Sequence, residues 1–362
     1  STNLAPKKIA KYGTCIGGKG DEFKGCSLLI IAWDDRNCSP YQGRNIDLNC
    51  MMEPVSTSPL SRIAICGGTH GNEMSGVYLV RELQKQNLEK VGAASITTVI
   101  SNPRAIAMCK RYTDMDLNRC FTDALLSSPL KDDTPYELRR AQELNALLGP
   151  KGSLQAMDLV CDLHNTTANV GLSLITYFNK DWLILHIYRH IQRSITSAPV
   201  RLILLDIPYA DAYSVDTLGK HSLSFEVGPQ PHGVIRADIF NIMKEAVNKT
   251  LDWVQCYNSG RAFEGGEVDD VYIHVKSIEY PKDPVTNHIT AAIHPQLQDR
   301  DFGLLHQGEP MFLTFSGDVL KYEEEEALHP FFVNECAYYE KNIAFHLARK
   351  IKITIPTLQV KR

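Results

Sequence analysis

Ile63-Ala64-Ile65-Cys66-Gly67-Gly68-Thr69-His70-Gly71-Asn72-Glu73-Met74 is the stretch whose reading decides the fold. Its apolar opening reads as a buried strand. Two glycines turn the chain, and His70 and Glu73 then stand three apart at the start of a helical pattern carried by Val77, Leu79, Val80 and Leu83. A strand that empties into a His-x-x-Glu loop is where an α/β protein places a metal.

Working outward, strands and helices alternate. Ile96 to Ser101, Asp158 to Leu163, Leu172 to Phe178, Val200 to Leu205 and Ser222 to Val227 read as strands. Pro135 to Leu148, with Gly149-Pro150 behind it, reads as a helix, as Pro at the front and Gly at the back dictate. Trp182 to Ile195 and Val234 to Tyr257 also read as helices. This alternation predicts a doubly wound, largely parallel sheet. After about Ser259 the pattern changes to short strand-like runs: Tyr272 to Ile278, Ile289 to Ile293, Met311 to Phe315, His329 to Val333 and Lys350 to Ile355. These read as a smaller all-β domain. The expected division is therefore a catalytic domain over 61–259 and a β-rich domain over 260–362. Residues 1–60 are expected to be a non-native or poorly ordered extension, with translation starting at Met51 or Met52 and a plain linker from Glu53 to Ser61.

Composition excludes several function classes. A net charge of −4 over 362 residues implies neither a nucleic-acid nor an acidic-membrane partner. No apolar run approaches the ~20 residues of a membrane helix, and no signal peptide is legible. The chain is expected to be cytoplasmic, with peripheral membrane association left open. Cys66, Cys109, Cys120, Cys161, Cys256 and Cys336 read as reduced thiols. Cys15, Cys26, Cys38 and Cys50 are spaced so that a disulfide set is the alternative there. Asn165-Thr166-Thr167 matches a glycosylation sequon but adjoins a candidate ligand, so it reads as site architecture. Glu323 to Glu326 reads as a solvated turn.

Three strand ends carry ligand-type residues: His70 with Glu73, His164, and Glu226. Two imidazoles and one carboxylate leave the fourth position of a tetrahedral Zn²⁺ open for water, which marks a catalytic site, and the ion lowers that water's pKa toward about 7. Glu226, beside a Gly-Pro turn, is the candidate general base. In the polar loop Lys110 to Arg119, Arg111 is placed to hold a developing oxyanion, and Asn118 with Arg119 to bind a carboxylate.

Gly67-Gly68-Thr69-His70-Gly71-Asn72-Glu73, Asp116-Leu117-Asn118-Arg119, Asp162-Leu163-His164-Asn165-Thr166-Thr167, Glu226-Val227-Gly228-Pro229-Gln230, His294 to Asp299 and Asn334 to Lys341 together resemble the aspartoacylase family of zinc amidohydrolases, from about Arg62 to about Lys352. The resemblance implies a zinc-carboxypeptidase-like α/β fold, a doubly wound mixed sheet with helices on both faces, and a C-terminal β-rich domain that narrows the pocket. It implies one Zn²⁺ per subunit on His70, Glu73 and His164. It also implies Glu226 as base and proton shuttle, Arg111 at the scissile carbonyl, and Asn118, Arg119 and Tyr338 on the substrate. A homo-oligomer, dimer or higher, is implied too.

Aspartoacylase holds its substrate's second carboxylate with an arginine ten residues before the catalytic glutamate. Here that position is Asp216, which would repel a carboxylate. Met74 to Tyr78, Thr167-Ala168-Asn169, Arg236 to Phe240 and Gln296 to Phe302 are similar to the aminoacylase III branch of the family. The implied reaction is hydrolysis of N-acetylated aromatic amino acids and mercapturates to a carboxylate and a free amino acid or cysteine conjugate. The alternatives are an aspartoacylase acting on N-acetylaspartate and a zinc-containing binding protein without turnover.

Overall fold

A computed structural model of the chain describes residues 52–177 and 180–361. The expectations for residues 1–50, including Cys15, Cys26, Cys38 and Cys50, fall outside the described residues.

In chain order the strands and longer helices begin with β1 (Val55–Thr57), β2 (Arg62–Gly67), α1 (Met74–Lys85), β3 (Lys90–Val91), β4 (Ala94–Ile100), α2 (Pro103–Met108), α3 (Asp123–Leu126) and α4 (Tyr136–Leu148). They continue through β5 (Leu159–Asn165), β6 (Gly171–Tyr177), α5 (Trp182–Ser194), β7 (Val200–Leu205), β8 (His221–Gly228) and α6 (Ala237–Asn258). The C-terminal segment adds β9 (Gly266–Glu279), β10 (Ala291–Ile293), β11 (Pro310–Thr314), β12 (Val319–Lys321), β13 (His329–Phe331), β14 (Ile343–Ile355) and β15 (Leu358–Val360).

Ten strands form one mixed sheet in the order β13-β14-β9-β7-β6-β8-β5-β2-β4-β3. β8, β5, β2 and β4 run parallel, and β6 enters antiparallel to β8. β5 is buried along its whole length. Alternation along β2 shows why both faces need cover: Ile63 and Ile65 join the core under α1, α5 and α6, while Ala64 and Cys66 face α4 through Ala141, Leu144 and Leu148. From β2 the chain steps outward to β4 and then back across to β5. The carboxyl ends of β2 and β5 therefore open a crevice of the kind where such sheets bind ligands.

One expectation is corrected, in the 53–61 stretch. The 260–362 segment is β-rich, as expected, and its long strands extend the main sheet. β9 pairs with β7 of the main sheet, Ile203 opposite Tyr272, and β14 and β13 follow it outward. β10, β11 and β12 make a separate small sheet, and β15 belongs to a two-stranded one. The stretch 53–61, read as plain linker, contains β1, which pairs parallel with β15. Thr57 also bonds the Tyr257 hydroxyl at 2.6 Å. The six described cysteines are free thiols, and no helix among the described residues is long and apolar enough to cross a membrane.

One close approach fixes how α1 meets the sheet. A Cβ added at Gly76 would lie 2.7 Å from the carbonyl oxygen of Leu163 and 2.9 Å from its Cβ. Gly76→Ala should cost about 1–3 kcal/mol of stability through overpacking, measured by urea unfolding. A second prediction comes from His346 on β14, which packs edge-on against His274 and Tyr338. Burial, with His274, Arg119 and Lys341 adding to it, pushes its pKa down to about 3. Folding then favours the neutral ring, so this contribution is complete above the unfolded value near 6.5 and is lost as pH falls toward 3. At pH 5 the loss is roughly 2 kcal/mol. His346→Asn should lose less stability between pH 7 and pH 5 than the parent.

Candidate active site

The turn after β2 brings two of the predicted ligands forward. Gly68 adopts φ 71°, a left-handed conformation open to glycine. Glu73 stands at the N-cap of α1 but makes no side-chain cap bond, and its carboxylate goes to the site instead. His70 Nδ1 lies 2.7 Å from Glu73 Oε1, His164 Nδ1 lies 2.9 Å from Glu73 Oε2, and the two Nδ1 atoms are 3.1 Å apart. The backbone N–H of Asn165 donates to Glu73 Oε2 at 3.0 Å.

The far side of each imidazole faces a carboxylate. His70 Nε2 is 3.1 Å from Asp116 Oδ1, and His164 Nε2 is 2.5 Å from Asp162 Oδ2. With Asp116 and Asp162 taking the Nε2–H of each ring, both Nδ1 atoms would be free to turn lone pairs toward an ion. The two Nδ1 atoms and the Glu73 carboxylate converge on one buried point. His70, Glu73 and His164 are together a group that can hold a metal ion, and the donor set fits a Zn²⁺-type cation. Burial alone would raise Glu73, but the two imidazoles outweigh it and hold the carboxyl well below its usual range.

The 110–119 loop delivers the cations. Arg111 reaches Glu73 Oε1 at 3.3 Å and Asp116 Oδ2 at 3.1 Å. Asn118 accepts the N–H of Val215 at 3.0 Å through Oδ1. Its Nδ2 sits 3.2 Å from His164 Nε2, a nitrogen that already carries a proton, so this amide donor stays available. Arg119 is fixed by a 2.6 Å bond to the Asn118 carbonyl and lies 4.4 Å over the Tyr213 ring.

Except for Glu73, every residue singled out from the sequence lines one cavity of about 370 Å³: His70, His164, Arg111, Asn118, Arg119, Asp216, Glu226 and Tyr338. Glu226 sits on β8 directly opposite His164. Its Oε2 is buried without a partner. Burial, reinforced by Glu73 and Glu335, raises its pKa to about 8. Asp216 is buried with Oδ1 unpartnered, and burial raises it to about 7. Asn165 of the sequon is buried, with Oδ1 taking the Ser75 N–H and a Gln230 N–H and Nδ2 donating to Val227 O. It is architecture, as expected.

Other residues escaped sequence reasoning. Asp162 carries a signal in hindsight, since it is two residues before His164 and so shares its face of the strand. Asp116 heads the Asp116-Leu117-Asn118-Arg119 motif, but no role was legible for it there. Glu137, on α4, is fully buried and takes the N–H groups of Thr113, Asp114 and Met115, the Thr113 hydroxyl and the Asn102 amide. It shapes the loop between Arg111 and Asn118. Glu335 reaches across from the C-terminal segment to the loop after His164, accepting from the Thr166 hydroxyl and from Thr167 N at 2.7 Å. Its other oxygen faces His232 at 3.4 Å. A glutamate in an amphipathic helix or in a turn looks like surface charge until the packing is known.

Comparison with known proteins places the chain in a family. Residues 59–254 match the succinylglutamate desuccinylase/aspartoacylase catalytic domain, and residues 269–350 match the AstE/AspA barrel-sandwich hybrid domain. The chain is 59% identical over 314 residues to an N-acyl-aromatic-L-amino acid amidohydrolase (carboxylate-forming) B of Danio rerio, covering 86% of this chain and 100% of that protein. It is 40% identical to the aspartoacylase of Mus musculus over 86% of this chain and 99% of the relative. The crystal structure of murine aminoacylase 3 superposes with a TM-score of 0.81 at 43% identity, covering 84% of this chain and 100% of that one. With both domain models matched in order and relatives matched over nearly their full length, this chain belongs to the succinylglutamate desuccinylase/aspartoacylase family.

Proposed function

We propose that this protein hydrolyses N-acyl aromatic amino acids, releasing a carboxylate and the free amino acid. The observation that carries the reading is the buried convergence of two imidazoles and a carboxylate at a cavity lined both by Arg111, Arg119 and Lys341 and by Ile175, Ile203, Leu205 and Ile207. The relative at 59% identity, named for this activity, supports it.

His70, Glu73 and His164 would hold one Zn²⁺. That ion supplies Lewis acidity, which polarises the acyl carbonyl and acidifies a water. Glu226 takes the proton of the attacking water and returns it to the amide nitrogen as the C–N bond breaks. Its free Oε2 and its pKa near the working pH suit both transfers. Arg111, anchored by Asp116, donates to the carbonyl oxygen as negative charge develops there. Arg119 and the amide of Asn118 hold the α-carboxylate, and the Tyr338 hydroxyl lines the same wall.

Ile175, Ile203, Leu205 and Ile207 also line the cavity, and an aromatic side chain fills such apolar surface by burial. Asp216 lines the same cavity, and a carboxyl there disfavours a substrate with a second carboxylate, which argues against the aspartoacylase reading.

Side-by-side hydrolysis of N-acetyltyrosine and N-acetylaspartate, with a chelator control, tests the proposal. Chelator-sensitive cleavage of the tyrosine compound is expected, and preference for the aspartate compound would overturn it. Glu226→Gln should lower kcat about 10²–10⁴-fold while bound zinc, measured by atomic absorption, stays at one equivalent. Glu137→Ala should raise KM and lower kcat together, since it releases the loop that carries Arg111, Asn118 and Arg119. Unchanged steady-state kinetics would remove that positioning role.

A further inference from the structure

Cations gather at a second cleft, on one side of α5. Arg189 and Arg193 are a helical turn apart and so are neighbours along the helix surface, with His190 between them in sequence, while Leu183, Ile184, Ile187 and Ile191 are buried. The 261–264 stretch between α6 and β9 brings in Arg261, Phe263 and Glu264. These residues line a cleft of about 400 Å³ that shares no residue with the catalytic cavity.

The guanidinium groups here are held by neutral partners. Arg189 donates through Nη1 to the carbonyl oxygens of Glu264 and Gly265, each at 2.9 Å. Arg261 lies over the Phe263 ring, 5.5 Å from its centre, and that ring packs in turn against Trp253. Among the described residues none of Arg189, Arg193 and Arg261 is ion-paired with a carboxylate, whereas Arg140, Arg236 and Arg349 each are. The like charges feel one another. Burial, with Arg193 adding to it, lowers the pKa of Arg189 against the pull of Glu264. Burial, Lys249 and Arg261 lower that of His190 against Asp252. Arginine stays charged throughout, so three positive charges share the cleft with one carboxylate, Glu264, in a chain whose net charge is −4.

A cleft lined by one sign of charge concentrates counter-ions, and guanidinium forks match the oxygens of carboxylate and phosphate. A carboxylate offers two oxygens and one charge. A phosphate group offers three oxygens and about two charges, which matches the excess of cations. We propose that the cleft of Arg189, Arg193 and Arg261 is a binding site for the phosphate group of a small phosphorylated ligand, separate from the catalytic cavity. Arg189 supplies a fixed, half-buried charge, and the exposed Arg193 and Arg261 complete it. The same chemistry is presented by a free phosphorylated compound and by a phosphorylated lipid headgroup.

The test titrates inorganic phosphate and pyrophosphate into the full-length, zinc-loaded protein by calorimetry at constant ionic strength, in the parent and in Arg193→Gln/Arg261→Gln. Both substitutions lie at exposed positions outside the catalytic cavity, so hydrolysis of N-acetyltyrosine should be unchanged. Anion held at the zinc or by Arg111 and Arg119 is common to the two proteins, and the difference between them isolates this cleft. Saturable binding to the parent is expected, with Kd raised about tenfold or more in the variant by the loss of two charge-assisted contacts. Equal affinity in the two proteins, or no saturable binding to the parent, would overturn the proposal. Vesicles of phosphatidylcholine with and without phosphatidylinositol phosphate separate the sources. Sedimentation of the parent, but not the variant, with the phosphorylated vesicles alone assigns the phosphate to a lipid headgroup. Binding of the soluble anions without sedimentation assigns it to a free compound.

Discussion

The constraint on which the rest depends is the forced proximity of three electron-pair donors. Two imidazole nitrogens stand 3.1 Å apart with a carboxylate oxygen within 3 Å of each, all on buried residues. Nothing about His70 or His164 alone sets this up. It follows from Asp116 and Asp162, which hold the ring protons on the outward nitrogens and so aim the lone pairs inward. Those carboxylates are supported in turn. Thr69 donates to Asp162 at 2.7 Å, and Arg111 brackets Asp116 through two nitrogens.

Charge balance extends the same logic outward. Three cations, Arg111, Arg119 and Lys341, line the cavity against two carboxyls, Asp216 and Glu226, and the two arginines are fixed rather than free. Arg111 is held between Glu73 and Asp116, and Arg119 between a backbone carbonyl and a tyrosine ring. A preorganised guanidinium loses less entropy on meeting an anion than a mobile one. Glu137 achieves this for the whole loop, since one carboxylate replaces the partners that three consecutive backbone N–H groups would otherwise lack. The binding surface is thus carried by an irregular segment that a neighbouring helix makes rigid.

Much of this was legible because local chemistry and fold agree. The strand before His70, the glycine turn and the helix after Glu73 follow from apolar periodicity and punctuation, and the family motifs fixed the order of His164 and Glu226. What the sequence hid are relations that need three dimensions. Glu137 and Glu335 are buried carboxylates saturated by backbone donors from distant segments, and a lone glutamate carries no sign of that. The membership of β9 and β14 in the main sheet was obscured because each is polar along one side. Lys350 and Lys352 face solvent between Ile351 and Ile353, a pattern equally at home in a small separate sheet. β1 and β15 are three residues each, too short for periodicity to register.

The pairing of β1 with β15 has a consequence for synthesis. Val55 emerges from the ribosome some 300 residues before its partner Leu358, at roughly 5–20 residues per second. For that interval its strand edge and the Tyr257 hydroxyl that meets Thr57 lack their final neighbours. β7, similarly, must wait for β9, and β9 for β14, before the cavity wall behind Ile203 is closed. The nascent catalytic half is therefore an incomplete sheet with a sticky apolar margin. Chaperone demand should be greatest while the last hundred residues are still being made.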